Sequence, residues 1–313
     1  MRRRGGFVLV CVLWVLAILT VLTIGFAYRA VLDRRAAAYS LDRSQARLMA
    51  HAAVQRGIIE LRNKIVKDNL RQRDVARTHL GQTWARAHSL LEDKDNLLDL
   101  GEGFENDKVV YSIEDQERYI DINGAKREVL EEVEPLGKPA LRRIWKRRTE
   151  GVHEDEGKNP VNALEELRYI RGVDEEDWFG EGDEPGLKDL VSVVGGNRVN
   201  VNTASYEVLQ CIPDLDDNAI DVIMEWRVGG DGEIGTGDDQ GFKNIEHLAE
   251  VTGIDGDSLV ALQEYCKTDS NYFKITGIAT RRGGKVRVVS SAIVYVRENI
   301  AGMKTWQEVS LGS

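Results

Sequence analysis

The sequence predicts an α+β protein: a long N-terminal helix packed on a small antiparallel β-sheet, with a large all-α domain of two related helical units inserted between the strands. Three observations predict it. Residues 7–28 are uncharged and open a stretch that runs to residue 134 without a proline. Period-2 apolar alternation occurs at 109–123 and again at 272–296, on either side of a long middle stretch of helical character. That middle stretch repeats itself at an offset of 79 residues.

Taking the elements in order, FVLVCVLWVLAILTVLTIGFAY is 22 residues long and as a helix covers roughly 33 Å, enough for a hydrocarbon core of about 30 Å. Arg2, Arg3 and Arg4 precede it and would hold that end in the cytoplasm, which places everything after Tyr28 on the far side of the membrane. A cleaved secretory signal is the competing reading. Its apolar core usually runs only about 7–15 residues before a small-x-small site, and Ala27-Tyr28-Arg29-Ala30 is a poor site of that kind. An ordinary uncleaved signal anchor is a second alternative.

The helix extends beyond the membrane. The first glycine after Gly25 is Gly57, and Val54, Ile58, Leu61 and Ile65 fall at spacings of four, three and four, an amphipathic stripe that continues to about Lys64. Residues 29–88 carry 13 Lys+Arg against five Asp+Glu, read as a solvated outer face rather than as a grip on lipid or nucleic acid. VVYSIEDQERYIDIN, residues 109–123, reads as a β-hairpin around its polar centre. Residues 272–281 and 285–296 read as a second hairpin, turned at Gly283-Gly284 where positive φ is accessible.

Between the hairpins lies the duplication. Asp121-Ile-Asn-Gly-Ala125-x-x-Glu128-Val-Leu130 aligns with Asn200-Val-Asn-Thr-Ala204-x-x-Glu207-Val-Leu209, and the same offset relates Ala140 to Ala219, Ile144 to Ile223 and Arg148 to Arg227. At an offset of 81, Leu167, Gly172, Val173 and Asp174 match Leu248, Gly253, Ile254 and Asp255. Asn123 and Asn202 are expected as helix caps or turn residues, and Leu130, Leu209, Ile144 and Ile223 as core. Each copy has the look of a helix-hairpin-helix or SAM-like unit, and such hairpins often bind DNA phosphates through glycine-bearing turns. The second copy's turn, Ile212-Pro-Asp-Leu-Asp-Asp217, has three carboxylates and no glycine. The first, Pro135-Leu-Gly-Lys-Pro139 followed by Arg142, Arg143, Lys146, Arg147 and Arg148, suits a phosphate better, but residues 92–190 hold 29 Asp+Glu against 15 Lys+Arg. A membrane-tethered DNA receptor is therefore the alternative reading, and no nucleic acid is expected.

Composition agrees with a folded, non-enzymatic chain. Of 313 residues 42% are hydrophobic, which excludes a disordered or collagen-like chain, and the net charge of −10 argues against a general nucleic-acid binder. Three cysteines are too few for a disulfide scaffold or a four-thiolate zinc site. His51, His79, His88, His153 and His247 form no ligand spacing. No Gly-x-Ser-x-Gly, His-Glu-x-x-His or phosphate loop occurs. Gly230-Asp-Gly232-Glu-Ile-Gly235 matches a dinucleotide fingerprint in letters only, since it follows a helix-like run and sets Asp231, Glu233, Asp238 and Asp239 where a pyrophosphate would lie.

A short basic leader ending in glycine, then Phe7 and a long apolar helix, resembles the N-terminal signal of type IV prepilins and type II secretion pseudopilins. The resemblance implies cleavage by a membrane prepilin peptidase between Gly6 and Phe7, followed by methylation of Phe7. Most of that family has Glu at the fifth mature position, and this chain has Cys11. A carboxylate in hydrocarbon persists only when paired. The family's Glu is thought to pair with a neighbour's amino terminus, so its absence suits a subunit with nothing beyond it. Together with the duplicated helical unit and phrases such as Tyr119-Ile-Asp-Ile-Asn123 and Val199-Asn-Val-Asn-Thr-Ala204, the chain is similar over nearly its whole length to the K-type minor pseudopilins.

That resemblance implies a leader (1–6), a transmembrane segment (7–28), a pseudopilin body (29–122), an inserted duplicated helical domain (123–268) and C-terminal strands of the body (269–313). It implies a single-pass inner-membrane protein with a periplasmic body, at the tip of the type II secretion pseudopilus. Its partners would be minor pseudopilins of the I and J types, the major pseudopilin, the inner-membrane secretion platform, and secretin or cargo. The loop Asp231-Gly-Glu-Ile-Gly-Thr-Gly-Asp238-Asp239 suits a hard cation, because Ca²⁺ takes six to eight oxygens, and it resembles pseudopilin calcium loops. Asp231, Asp238 and Asp239 would ligate a structural Ca²⁺ through side chains, with Thr236 and the carbonyls of Glu233 and Ile234 as further ligands; a solvated acidic loop is the alternative. Cys211 and Cys266 lie beyond the membrane, where an oxidising compartment permits either a disulfide or two buried thiols.

Overall fold

The computed structural model describes residues 5–70, 78–85, 98, 106–150, 160–297 and 300–311. One helix, α1 (Gly5–Leu70), dominates it. Four strands form an antiparallel sheet in the order β1 (Lys108–Asp115), β6 (Tyr272–Arg281), β7 (Val286–Arg297), β8 (Ile300–Leu311). Small residues set how closely α1 lies on this sheet. Ala46, Ala50, Ala53, Val54 and Leu61 are buried, and a Cβ on Gly277 would sit 2.4 Å from the Ala50 carbonyl oxygen. The expected stripe holds at Val54, Ile58 and Leu61, and the Ile65 side chain lies outside the described residues. Its tight centre is the run of alanines that hydrophobicity spacing passes over. Ile275, Ile113, Phe273, Val288, Ala292 and Val294 complete this first core, with Trp84 packed edge-on to Phe273 at 5.3 Å.

The C-terminal hairpin forms as expected, with Arg282, Gly283 and Gly284 all at positive φ. Arg282 forms an ion pair with Asp42 of α1 at 2.6 Å, and Arg281 donates to Asp107, just before β1, at 2.8 Å, which ties the turn to the helix and to the start of the first strand. The first expected hairpin does not form. β1 pairs with β6 across the chain, Lys108 opposite Thr280 and Asp115 opposite Phe273. The next strand, β2 (Ile120–Asp121), leaves the sheet to pair in parallel with β3 (Val191–Ser192). The polar centre that reads as a solvent turn is buried instead. Asp115 accepts from the Glu117 amide and turns the chain through one 3₁₀ turn, residues 116–118.

The middle stretch is two units sharing one core. The first contains α2 (Arg127–Glu131), α3 (Lys138–Glu150), α4 (Glu175–Phe179) and α5 (Leu187–Leu190). The second contains β4 (Val199–Asn200), α6 (Tyr206–Gln210), α7 (Asp217–Arg227), α8 (Ile245–Thr252), α9 (Gly256–Tyr265) and β5 (Cys266–Lys267), with β4 and β5 parallel as β2 and β3 are. Leu130, Ile144, Leu209 and Ile223 are all fully buried, as expected.

The repeat's asparagines are turn residues, the second of the two expected roles, and their side chains reach well beyond the turn. Asn123 Nδ2 donates to the carbonyls of Val161 and Val193, both at 2.9 Å, while its Oδ1 accepts from the Val161 amide at 2.9 Å. Asn202 does the same with Phe242 O at 2.9 Å, Thr268 O at 3.0 Å and Phe242 N at 2.7 Å. Each asparagine therefore clamps three chain segments. The paired arginines are equally matched: Arg148 donates to Ala125 O at 2.9 Å and Arg227 to Ala204 O at 2.7 Å. Burial lowers both guanidinium pKa values, that of Arg227 to about 9.

Candidate assembly surface and acidic loop

Three features bear on function: the bare front of α1, the junction of the two cores, and the acidic loop after α7. From Phe7 to Leu41 no α1 side chain is buried, and the first buried residue is Asp42. Phe7, Trp14, Val21, Phe26 and Tyr28 are each more than 60% exposed. Burying such surface is the main favourable term available to the helix, so it requires lipid or neighbouring helices. Among the described residues this is the one helix long and apolar enough to cross a membrane. α1 begins at Gly5, so Gly6 and Phe7 lie in its first turn, and Cys11 is exposed one turn further on. Arg2, Arg3 and Arg4 lie outside the described residues.

The junction escaped the sequence reading. Asp115, 1% exposed, accepts at Oδ2 from Asn200 Nδ2 (3.0 Å), Thr203 Oγ1 (2.6 Å) and Ser270 Oγ (2.6 Å). One carboxylate on the body sheet thus fixes the entry and the exit of the second unit. Glu117 beside it pairs with Lys267 at 2.7 Å and accepts from the Asn271 amide at 2.5 Å. Burial raises the Glu117 pKa, and Lys267 offsets only part of this. The side chains bonded to one another in this network are 70 to 155 positions apart, so no local pattern announces the pairings.

In the acidic loop Asp238 is the hub. Its Oδ2 accepts from the amides of Gly230 (2.8 Å) and Asp231 (3.1 Å), and its Oδ1 from Thr236 Oγ1 (2.7 Å). The Thr236 hydroxyl and the Gly230 amide hold its pKa well below the usual carboxylate range. Asp239, 7% exposed, accepts from the Gly235 amide at 2.7 Å and lies near enough to buried Arg227 to favour its charge. Asp231 accepts from the Glu233 amide at 2.8 Å. A Cβ on Gly229, at φ 67°, would meet the Asp238 carbonyl at 2.5 Å, so the turn requires glycine. Of the expected ligands, Thr236, Asp238 and Asp239 come together, while Asp231 turns to its own loop backbone. The Glu233 carbonyl lies 3.4 Å from Thr236 Oγ1, whose proton goes to Asp238, and Ile234 is exposed. The donor chemistry is that of a hard-cation site, but the carboxylates are engaged by loop amides. Among the described residues no cluster of three His, Cys, Asp or Glu side chains is poised to hold a metal.

Cys211 and Cys266 are both buried as free thiols. Burial pushes both thiol pKa values up to about 12. Three arginines of the basic helix α3 reach internal acceptors, Arg143 donating to Pro139 O and Arg171 O, Arg147 to Glu166 and Pro160 O, and Arg148 to Ala125 O, while Arg142 and Lys146 are exposed. An open groove of about 440 Å³ has Glu132, Glu134, Glu184, Glu207 and Asp217 among its lining residues, a poor seat for a phosphate backbone. His88 and His153 lie outside the described residues.

The chain is thus an α+β protein whose apolar helix projects from a body of sheet and duplicated helices. Among solved structures it is similar to a chain of the GspK-GspI-GspJ complex from the enterotoxigenic Escherichia coli type 2 secretion system. The TM-score is 0.57 at 13% identity, covering 86% of this chain and 98% of that one. At that identity the likeness is one of fold. No family model matches, and no curated protein sequence matches.

Proposed function

We propose that this chain is a minor pseudopilin of the K type in a type II secretion system, a non-enzymatic subunit at the tip of the pseudopilus. The observation that carries the reading is the fold likeness over 98% of a chain from the GspK-GspI-GspJ complex. The exposed front of α1 supports it, as does Cys11 in place of the family's membrane glutamate. In this reading prepilin peptidase cuts after Gly6 and Phe7 is methylated. The apolar helix stands in the inner membrane with the body in the periplasm, and it packs on I- and J-type minor pseudopilins and then on the major pseudopilin. The two helical units form the bulky head, which faces the secretin or cargo, while the secretion platform acts below. Calcium binding by Asp231, Asp238, Asp239, Thr236 and the carbonyls of Glu233 and Ile234 is part of the proposal and would order the loop.

Deleting the gene tests the function: folded exoproteins should accumulate in the periplasm and return to the medium on complementation. Unchanged secretion contradicts the proposal. The DNA-receptor reading is favoured by no observation, since Arg143, Arg147 and Arg148 are spent on internal carbonyls and Glu166.

A further inference from the structure

Between the apolar segment and the first residue buried against the body, α1 runs for 13 residues, 29 to 41, with none buried, roughly 20 Å of helix. This stretch carries Arg29, Arg34 and Arg35, all exposed and without a hydrogen bond or ion pair to the described residues; Asp33 is its single acid before Asp42. At 3.6 residues per turn Arg34 and Arg35 stand about 140° and 240° around the axis from Arg29. The three therefore ring the helix instead of forming one protein-facing stripe.

We infer that this ring is a collar that binds the phosphates of anionic phospholipid headgroups in the leaflet on the body side. The inference rests on the membrane-spanning reading above. Arg34 and Arg35 lie roughly 9–10 Å beyond Tyr28 along the axis, just outside a headgroup layer several ångströms thick. In an α-helix the Cα–Cβ bonds tilt toward the N-terminus, and here the N-terminus is the membrane side. The Cα–Cβ bonds of all three arginines therefore tilt back toward the headgroups, and their long side chains can carry the charges to the phosphates. Tyr28, 66% exposed at the border, has the aromatic character of an interface residue. Asp33 weakens the field without cancelling it, leaving a net charge of +2 over residues 29–41.

The test uses the full-length chain in phosphatidylcholine vesicles, comparing association of spin-labelled phosphatidylglycerol with spin-labelled phosphatidylcholine. The chain should select phosphatidylglycerol. The selectivity should fall at least about fivefold in R29Q/R34Q/R35Q, given what juxtamembrane arginines contribute near an anionic leaflet, and should weaken as salt rises. R2Q/R3Q/R4Q, whose arginines flank the opposite end of the apolar segment, should lose less of it than the collar variant. Equal selectivity in the collar variant, or loss in the leader variant alone, overturns the collar while leaving the pseudopilin reading intact. Release of the wild-type chain from vesicles by alkaline carbonate removes the membrane reading and the collar together.

Discussion

Replacing Asn202 with alanine removes a 1%-exposed amide and its three hydrogen bonds, to Phe242 N, Phe242 O and Thr268 O. At about 1 kcal/mol net per bond, and with a buried N–H and two carbonyls left seeking partners, the loss should be about 3 kcal/mol. At about 2–4 °C per kcal/mol for a unit of this size, the melting temperature should drop roughly 6–12 °C. Asn123→Ala removes the same three bonds in the first unit, to Val161 N, Val161 O and Val193 O, and should cost nearly as much. Circular dichroism melts of detergent-solubilised protein measure both. The two sites share no partner, so the double variant should approach the sum within about 0.5 kcal/mol. A shift under about 2 °C for either variant refutes the assignment of the repeated asparagine as the clamp of its unit.

Gly277→Ala should destabilise the body by about 1–3 kcal/mol, because its Cβ meets the Ala50 carbonyl at 2.4 Å and α1 must lift; unchanged denaturant midpoints would contradict the close helix–sheet approach. The Asp238 pKa is depressed by Thr236 and Gly230. Its ordering of the loop should therefore be complete above the unfolded value of about 3.9 and fade as pH falls through the lower folded value. Limited proteolysis should accordingly leave the loop intact at pH 6 and cut it in strong acid or in Asp238→Ala. Calcium should raise the melting temperature and protect the same loop, and a titration that moves neither removes the cation from the account. With both thiol pKa values near 12, Cys211 and Cys266 should resist alkylation at pH 8 in the folded state. Intact mass should be the same with and without reductant, and a gain of two hydrogens on reduction would establish a bridge.

The features legible in the sequence were those with a local period. The uncharged run and unbroken helix made α1, the alternation around Gly283-Gly284 made the second hairpin, and matched letters at a fixed offset made the two helical units. The misread features depend on distant partners. Glu114-Asp115-Gln116-Glu117 has turn composition, yet Asp115 and Glu117 are buried because Asn200, Thr203, Ser270 and Lys267 come to meet them. Asn123 and Asn202 follow a strand and precede a helix, where an asparagine usually caps; their use as three-segment clamps depends on chain 38 to 70 residues away. Arg148, which the sequence places in a phosphate-suited basic run, and its counterpart Arg227 each donate to the carbonyl of the matching alanine, a partner 23 residues away. The acidic loop was read from its composition, which does not reveal that Asp238 spends both oxygens on its own loop.

The most direct test of the central claim is the mass of the N-terminal peptide of mature protein, isolated from cells that express prepilin peptidase. The account predicts a chain beginning at N-methylated Phe7. A chain that keeps Arg2–Arg4, or one that begins beyond Tyr28, contradicts it.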